Sequence, residues 1–351
     1  MNKPIAITIG DPAGIGPEII AKAFRDAPDL TRGCFVAGDI GTMRRASQYL
    51  AGAGQIGMPV AVLHSPSEAL DMPSRCIPVI QVDQPVAPIT LGHISAAAGT
   101  MAAGCVVWAA NAALRGDVAA LVTAPLNKEA LGAAGLPHSA FPGHTEMLQA
   151  IAAAYLGKSV DELPVRMMLA NDELRTVLVS IHMSLRAAIE AVTFDNVLQT
   201  LRITHASLTS LLGHGPRIGV AGLNPHAGEK GRFGLEEIET IAPAIAAARA
   251  LGMDVSGPVA PDTVFMRARA RSGQRGDFDV VVAMYHDQGL IPVKYLGLEK
   301  GVNVTLGLPL IRTSPDHGTA FDIAGTGRAD ASSLVEAIRV ARSMVASRRA
   351  P

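Results

Sequence analysis

"VVAMYHDQGLIP", residues 281–292, decides how this chain is read. With Val280 before it, an apolar run extends to Met284 and ends at Tyr285. An ionisable pair follows, His286 and Asp287, and then Gly289 and Pro292. An uninterrupted apolar run bounded by turn residues is what a strand buried on both faces of a parallel sheet requires. Four other runs share the pattern: "PIAITI" (4–9), "AALVTA" (119–124), "RTVLVSI" (175–181) and "RIGVAGL" (217–223). Helical patterns lie between them. "EIIAKAF" (18–24) follows the first run, and "SAAAGTMAAGCVVWAANAAL" (95–114) is long and Ala-rich. "LEEIETIAPAIAAARAL" (235–251) is amphipathic and stops before Gly252, a residue suited to helix C-termini. "SSLVEAIRVARSMVASRR" (332–349) starts with Ser and places Arg in its last turn. Strands alternating with helices predict an α/β fold with largely parallel sheets. "RSGQRGD" (271–277) reads as a surface loop.

A chain of 351 residues suits two lobes or one large α/β domain. Hydrophobic residues at 49% exclude a disordered chain. A net charge of −1, with no basic run interleaved with aromatics, gives no general affinity for nucleic acid or an acidic membrane surface. No run approaches about 18 uninterrupted apolar residues, so no membrane span is expected. Cys34, Cys76 and Cys105 are odd in number, widely spaced and set among apolar residues. They read as buried free thiols in a reducing cytoplasm rather than as a disulfide framework. The opening "MNKPIAITIG" lacks the features of a signal peptide.

Three of the ten histidines share a context: His182 follows "TVLVSI", His226 follows "IGVAGLNP" and His286 follows "VVAMY". Each stands beyond the C-terminal end of an expected strand, the edge where open α/β sheets bind ligands. Neighbouring parallel strands would bring the three together, and three neutral imidazoles make a divalent-metal site with open positions. Three unrelated side chains that cap loops or bond carbonyls are the plainer alternative. Asn224, Glu229 and Asp287 are close enough in sequence to orient such ligands.

"FPGHTE" (141–146) places His144 in a Pro/Gly turn, with Thr145 as the expected cap of a helix whose free N–H groups face an anion. "TIGDPAGIGPEI" (8–19) is a strand, a Gly-rich turn and a helix with Pro17 in its first turn. It matches neither the dinucleotide fingerprint nor the P-loop, though Gly10, Gly14 and Gly16 permit close backbone approach. An ordinary strand-to-helix turn would read the same. Lys294, Asn303 and Arg312 can hold an anionic group, Arg312 through its bidentate fork. The segment 301–327 reads as a long functional loop able to wrap a nucleotide, with solvated surface as the alternative.

"GDPAGIGPE", "TAPLNKEAL", "PGHTE", "NPHAGE", "MYHDQG", "VNVTLGLP" and "IRTSPDHGTAFDIAG" together, in this order from residue 4 to about residue 345, resemble the 4-hydroxythreonine-4-phosphate dehydrogenase family. The resemblance implies an isocitrate/isopropylmalate dehydrogenase-like fold, two α/β/α lobes around a cleft with mostly parallel sheets. Residues 1–128 plus 297–351 would form a discontinuous cofactor-side lobe, and 129–296 a metal-binding and dimerisation lobe. It implies a homodimer with the active site shared between subunits, NAD or NADP, and one divalent ion (Zn, Mg, Mn or Co). The substrate would be the small phosphorylated four-carbon compound 4-phosphooxy-L-threonine. Its oxidation gives a β-keto acid that loses CO2 to leave 3-amino-2-oxopropyl phosphate, in pyridoxal 5'-phosphate biosynthesis.

Carried onto this sequence, the resemblance makes His182, His226 and His286 the metal ligands, His182 from one subunit and the other two from its partner. His144, Thr145, Lys294, Asn303 and Arg312 would contact substrate. Asp262, Asp287 and Lys294 would be the catalytic candidates for moving protons. Gly10, Asp11, Gly14, Thr305, Leu306, Gly307, Asp316 and Asp322 would border the cofactor. A sister group acts on D-threonate or D-erythronate 4-phosphate, and Asn127 stands where some biosynthetic members place a His. The retained "PGHTE" argues against a branch that oxidises an aromatic dihydrodiol dicarboxylate. A metal-dependent hydrolase and a non-catalytic metal- or sugar-phosphate-binding protein are the competing readings; NAD binding would exclude the first as a sole account, and turnover would exclude the second.

Overall fold

The computed structural model describes residues 3–51, 56–83, 88–271, 274–297 and 300–348. The chain forms two compact units, Met1–Pro164 with Leu308–Val345, and Val165–Gly307 with Ala346–Pro351.

The first unit holds strands β1 (Ile5–Thr8), β2 (Cys34–Gly38), β3 (Val60–Val62), β4 (Ile77–Gln81) and β5 (Ala120–Thr123). Of the later strands β6 (Arg166–Ala170), β7 (Arg175–Leu178), β8 (Ile218–Ala221), β9 (Val255–Val259), β10 (Val280–Ala283), β11 (Val302–Leu306) and β12 (Arg312–Pro315), only β12 belongs to it. The order in this unit is β3-β4-β2-β1-β5-β12, and every pairing is parallel. β1, β2 and β5 are buried along their whole length, which is why their sequences are continuous apolar runs.

The Ala96–Arg115 helix packs on these three strands and on the Lys128–Ala133 and His144–Tyr155 helices. Ser95 Oγ caps it by accepting from the Ala98 N–H, and Gly116 ends it at φ 78°. By length and composition it is apolar enough to cross a membrane, which the count of uninterrupted apolar residues did not anticipate. More than half of its apolar window is buried inside the fold, as expected of a core helix whose Ala side chains let neighbours approach closely.

In the second unit the order is β11-β6-β7-β10-β8-β9. β7, β10, β8 and β9 are parallel; β6 is antiparallel to both β7 and β11. Leu178, Val281, Ala283, Leu290 and Val293 lie in one buried cluster of this unit. The expected lobe boundaries at 128 and 297 differ from these units for identifiable reasons. Residues 129–164 carry helices that pack on Ala96–Arg115, and β11 pairs with β6. The segment 301–327, expected to be a loop, contains β11 and β12. The 235–251 helix opens with a π turn, Glu237–Ile241, before Ala242–Ala250; Pro243 lacks the N–H of a regular α-turn there. Of the 271–277 loop, residues 272 and 273 lie outside the described residues; Arg271 and Gln274 pair across it.

Candidate active site

The adjacency of β7, β10 and β8 places the residues that follow them along one sheet edge of the second unit. His286 opens the His286–Tyr295 helix, and His182 lies just past β7 with φ 24°. Their rings are neighbours, centroids 5.7 Å apart at 44°. His286 Nδ1 lies 2.7 Å from Asp287 Oδ1. An ionised carboxylate only accepts, so Nδ1 donates to it and the Nε2 lone pair is left for a ligand, the arrangement of metal-binding histidines. Gln288 ties the edge together: its Oε1 accepts from Met284 N at 2.7 Å and its Nε2 donates to Gly222 O at 2.8 Å.

His226 follows another course. It lies in the Pro225–Gly231 turn, where His226, Ala227, Gly228, Glu229 and Lys230 all have positive φ. Left-handed backbone costs a non-glycine residue roughly 1–2 kcal/mol, so something must hold the turn. Buried Glu237 does. Its Oε1 accepts from Leu223 N and Asn224 N, both at 2.7 Å, and its Oε2 from Asn224 Nδ2 at 3.0 Å. The His226 ring faces Phe233, centroids 6.3 Å apart. Among the described residues, no three His, Cys, Asp or Glu side chains converge on a metal-sized centre within the chain. Within the chain His182 stands beside His286 and the His226 ring stands against Phe233; the expected ligand set draws on two subunits. Of the expected orienting groups, Asp287 contacts a histidine, Asn224 serves Glu236 and Glu237, and Glu229 is exposed in the turn.

Two imidazoles at one edge, one of them held by a carboxylate, fit two positions of a divalent-metal cage. Asp262 is exposed in the first turn of Pro261–Ala268. Lys294 is in the last turn of the His286 helix, about 12 Å along its axis from His286 by helical rise. Asn303, Thr305 and Leu306 are on β11, with Gly307 just beyond at φ 91°.

In the first unit a second constellation forms. Arg312 opens β12 and is buried; its Nε and Nη2 donate to Thr123 Oγ1, at the end of β5, at 3.1 and 2.8 Å. Burial pulls the guanidinium down to about 10, with Glu146 opposing the shift. His144 is the first residue of the His144–Tyr155 helix, and its enclosed Nε2 has no hydrogen-bond partner. Burial, and then the Arg312 charge, push this imidazole down to about 3, so it is neutral near pH 7. The cap position is Gly143 and carries no side-chain cap; Thr145, expected to cap, lies inside the first turn. The helix thus keeps its N-terminal N–H groups for an anion.

In the same unit, Asp11 is buried, accepts from Ala13 N at 2.8 Å and has its carboxyl pushed up by burial. Gly10, at φ 73°, allows Asp11 N to reach Pro125 O at 2.8 Å; a Cβ there would meet that oxygen at 2.5 Å. The Gly14 turn reaches the Asp316–Asp322 segment through Ile15 N to Thr319 O, 2.9 Å. Asp316 N donates to Ser333 Oγ, and Asp322 is exposed in a short 3₁₀ turn. The expected cofactor residues therefore divide: Gly10, Asp11, Gly14, Asp316 and Asp322 in the first unit, Thr305, Leu306 and Gly307 in the second. Sequence reading missed Thr123, Glu146, Glu237 and Gln288 as supports. Only Thr123 left a signal, a hydroxyl closing an apolar run.

Residues 31–341 match the family model described as "Pyridoxal phosphate biosynthetic protein PdxA". The chain belongs to this family. It is 51% identical over 334 residues to the 4-hydroxythreonine-4-phosphate dehydrogenase of Beijerinckia indica subsp. indica, covering 95% of this chain and 93% of that one. It is 45% identical to the D-threonate 4-phosphate dehydrogenase of Salmonella typhimurium, over 98% of this chain and 99% of the other. The crystal structure of 4-hydroxythreonine-4-phosphate dehydrogenase from Klebsiella pneumoniae superposes with a TM-score of 0.83 at 41% identity, over 98% of this chain and all of that one. The chain is accordingly a dehydrogenase, an oxidoreductase, with the α/β architecture of this family.

Proposed function

We propose that this family member oxidises the secondary alcohol of 4-phosphooxy-L-threonine with NAD or NADP and a divalent ion. The resulting β-keto acid loses CO2 to give 3-amino-2-oxopropyl phosphate. The observation that carries the substrate class is the anion pocket of the first unit: buried Arg312, a neutral His144 and an uncapped helix N-terminus. A phosphate there gains the Arg312 fork and backbone N–H groups without competing with a second cation at His144. Holding this remote group fixes the reacting carbon in place.

His182, His226 and His286 are proposed as the ligands of one Zn, Mg, Mn or Co ion, at a site shared between the two subunits of a homodimer. When bound, the ion lowers the pKa of the substrate hydroxyl and polarises the carbonyl, and the nicotinamide takes the hydride. Asp287 orients His286, which leaves Asp262 and Lys294 to move the hydroxyl proton. Asn303 and Thr145 are proposed to contact substrate; Gly10, Asp11, Gly14, Thr305, Leu306, Gly307, Asp316 and Asp322 are proposed to border the cofactor. The three free, buried cysteines suit a reducing cytoplasm.

A second reading, D-threonate or D-erythronate 4-phosphate as substrate, is favoured by Asn127. Its Oδ1 accepts from Ala130 N at 2.8 Å and caps the Lys128–Ala133 helix, where some biosynthetic relatives place an imidazole. The test is NADH or NADPH formation from 4-phosphooxy-L-threonine after chelation and after return of each metal. Activity that is lost and regained with the ion supports the proposal; turnover indifferent to chelation refutes the metal role.

A further inference from the structure

The sheet edge opposite the histidines carries a cavity of about 200 Å³, at the N-terminal ends of β7, β8 and β10. Leu212, Ala268 and Phe278 supply apolar wall, and Arg175, Arg275 and His214 supply positive or protonatable groups. The acidic side chains around it are already engaged. Asp279 takes Arg217 bidentately, Nε to Oδ2 at 3.1 Å and Nη2 to Oδ1 at 2.9 Å. Glu173 Oε2 accepts from Arg269 Nε at 2.5 Å, and Asp172 Oδ2 from Lys300 Nζ at 3.2 Å.

Arg175 is treated differently. Among the described residues no carboxylate is in ion-pair contact with it, and its one side-chain hydrogen bond is a long one, Nη1 to Asp279 O at 3.5 Å. Burial is sufficient to hold its guanidinium below the usual value, although Asp279 and Asp172 act against that. Arg175 is part-buried, and most of its five donors are left for an acceptor that enters the space beside it.

We propose that this cavity binds a small oxyanion, a phosphate or short phosphomonoester, held by the Arg175 fork with Arg275 and His214 at its mouth. The chemistry follows from the lining. Every carboxylate there has a basic partner, so the groups left to meet a ligand are cationic. A planar fork matches a phosphate in two-point contact. At about 200 Å³ the space falls below the roughly 300–1,000 Å³ of drug-sized pockets, a size that suits a phosphate bearing a few carbons.

The test is isothermal titration of the full-length protein with inorganic phosphate, on wild type, Arg175→Gln and Arg312→Ala. A phosphate site retained in Arg312→Ala and weakened about tenfold or more in Arg175→Gln is expected, on the strength of hydrogen bonds to charged groups. Unchanged dehydrogenase kcat/KM in Arg175→Gln would show that the variant is folded. Should that variant not fold, Arg275→Gln is expected to weaken the same site, and crystals of wild type soaked in tungstate to show anomalous density beside Arg175. Phosphate binding abolished by Arg312→Ala alone, or a cavity without tungstate when the Arg312 pocket is filled, overturns the proposal.

Discussion

The two units present opposite kinds of chemistry. In the first, Arg312 is 4% exposed and His144 Nε2 is sealed without a partner, so the groups are placed in advance and their charges are set by burial. In the second, His286 keeps 38% of its side chain exposed and Asp287 72%. A buried cluster can discriminate one anion from another because its geometry is fixed, whereas exposed imidazoles can take up and release a solvated ion. On the proposed roles, a substrate anchor is sealed by packing while a metal ligand is left open to solvent, although His144 and His286 both open helices.

The comparison is sharpened most by the exposed side. His286→Ala should lower kcat about a thousandfold or more, the several kcal/mol that a Lewis acid contributes, while the melting temperature stays unchanged. A melting temperature that falls with activity would make His286 structural. Next, Arg312→Ala should raise KM for a phosphorylated substrate about a hundredfold, from loss of a charge-assisted fork. Unlike His286→Ala, it should also destabilise the fold, because it empties a buried position. An unchanged KM breaks the anchor role. Asp287→Asn, which removes the carboxylate that fixes His286, should weaken metal affinity about 10–100-fold, read by titration of the apo-protein. Affinity equal to wild type would separate Asp287 from the metal.

A smaller effect lies in pH. The His144 pKa in the fold, about 3, is below its ordinary 6.5, so between these values the unfolded chain binds a proton that the folded chain refuses. Stability from this group is complete above about 6.5 and declines as pH falls toward 3. Denaturant unfolding of His144→Gln should show a shallower decline across that window than wild type; identical slopes would mean that the imidazole is not sealed. Smallest is Glu237→Gln, expected to cost about 1–2 kcal/mol by weakening charge-assisted bonds to Leu223 and Asn224. Chemical denaturation measures it.

What was legible in the sequence follows the same division. β1, β5, β7, β8 and β10 declared themselves because strands buried on both faces must be apolar throughout. β12 did not: Arg312, Thr313 and Ser314 are polar yet buried, and they are tolerated because partners exist, as when Thr313 Oγ1 donates to Ala337 O at 2.7 Å. β11 left the alternation of "VNVTL" as its only sign. The edge position of His182 and His286 was readable from strand ends. The left-handed course of the His226 turn was not, since a turn containing one glycine between His226 and Lys230 has no local signature and depends on Glu237, eleven residues away from His226.

The central claim is dehydrogenation of a phosphorylated four-carbon substrate. Its most direct test is kcat/KM for NADH formation, with Zn or Mg present, on 4-phosphooxy-L-threonine, D-threonate 4-phosphate and D-erythronate 4-phosphate. The account predicts turnover with the highest value on the amino substrate. Preference for a hydroxy acid phosphate would move the chain to sugar-acid catabolism with its anchor and metal roles intact. Reduction of the nicotinamide with none of the three would contradict the account.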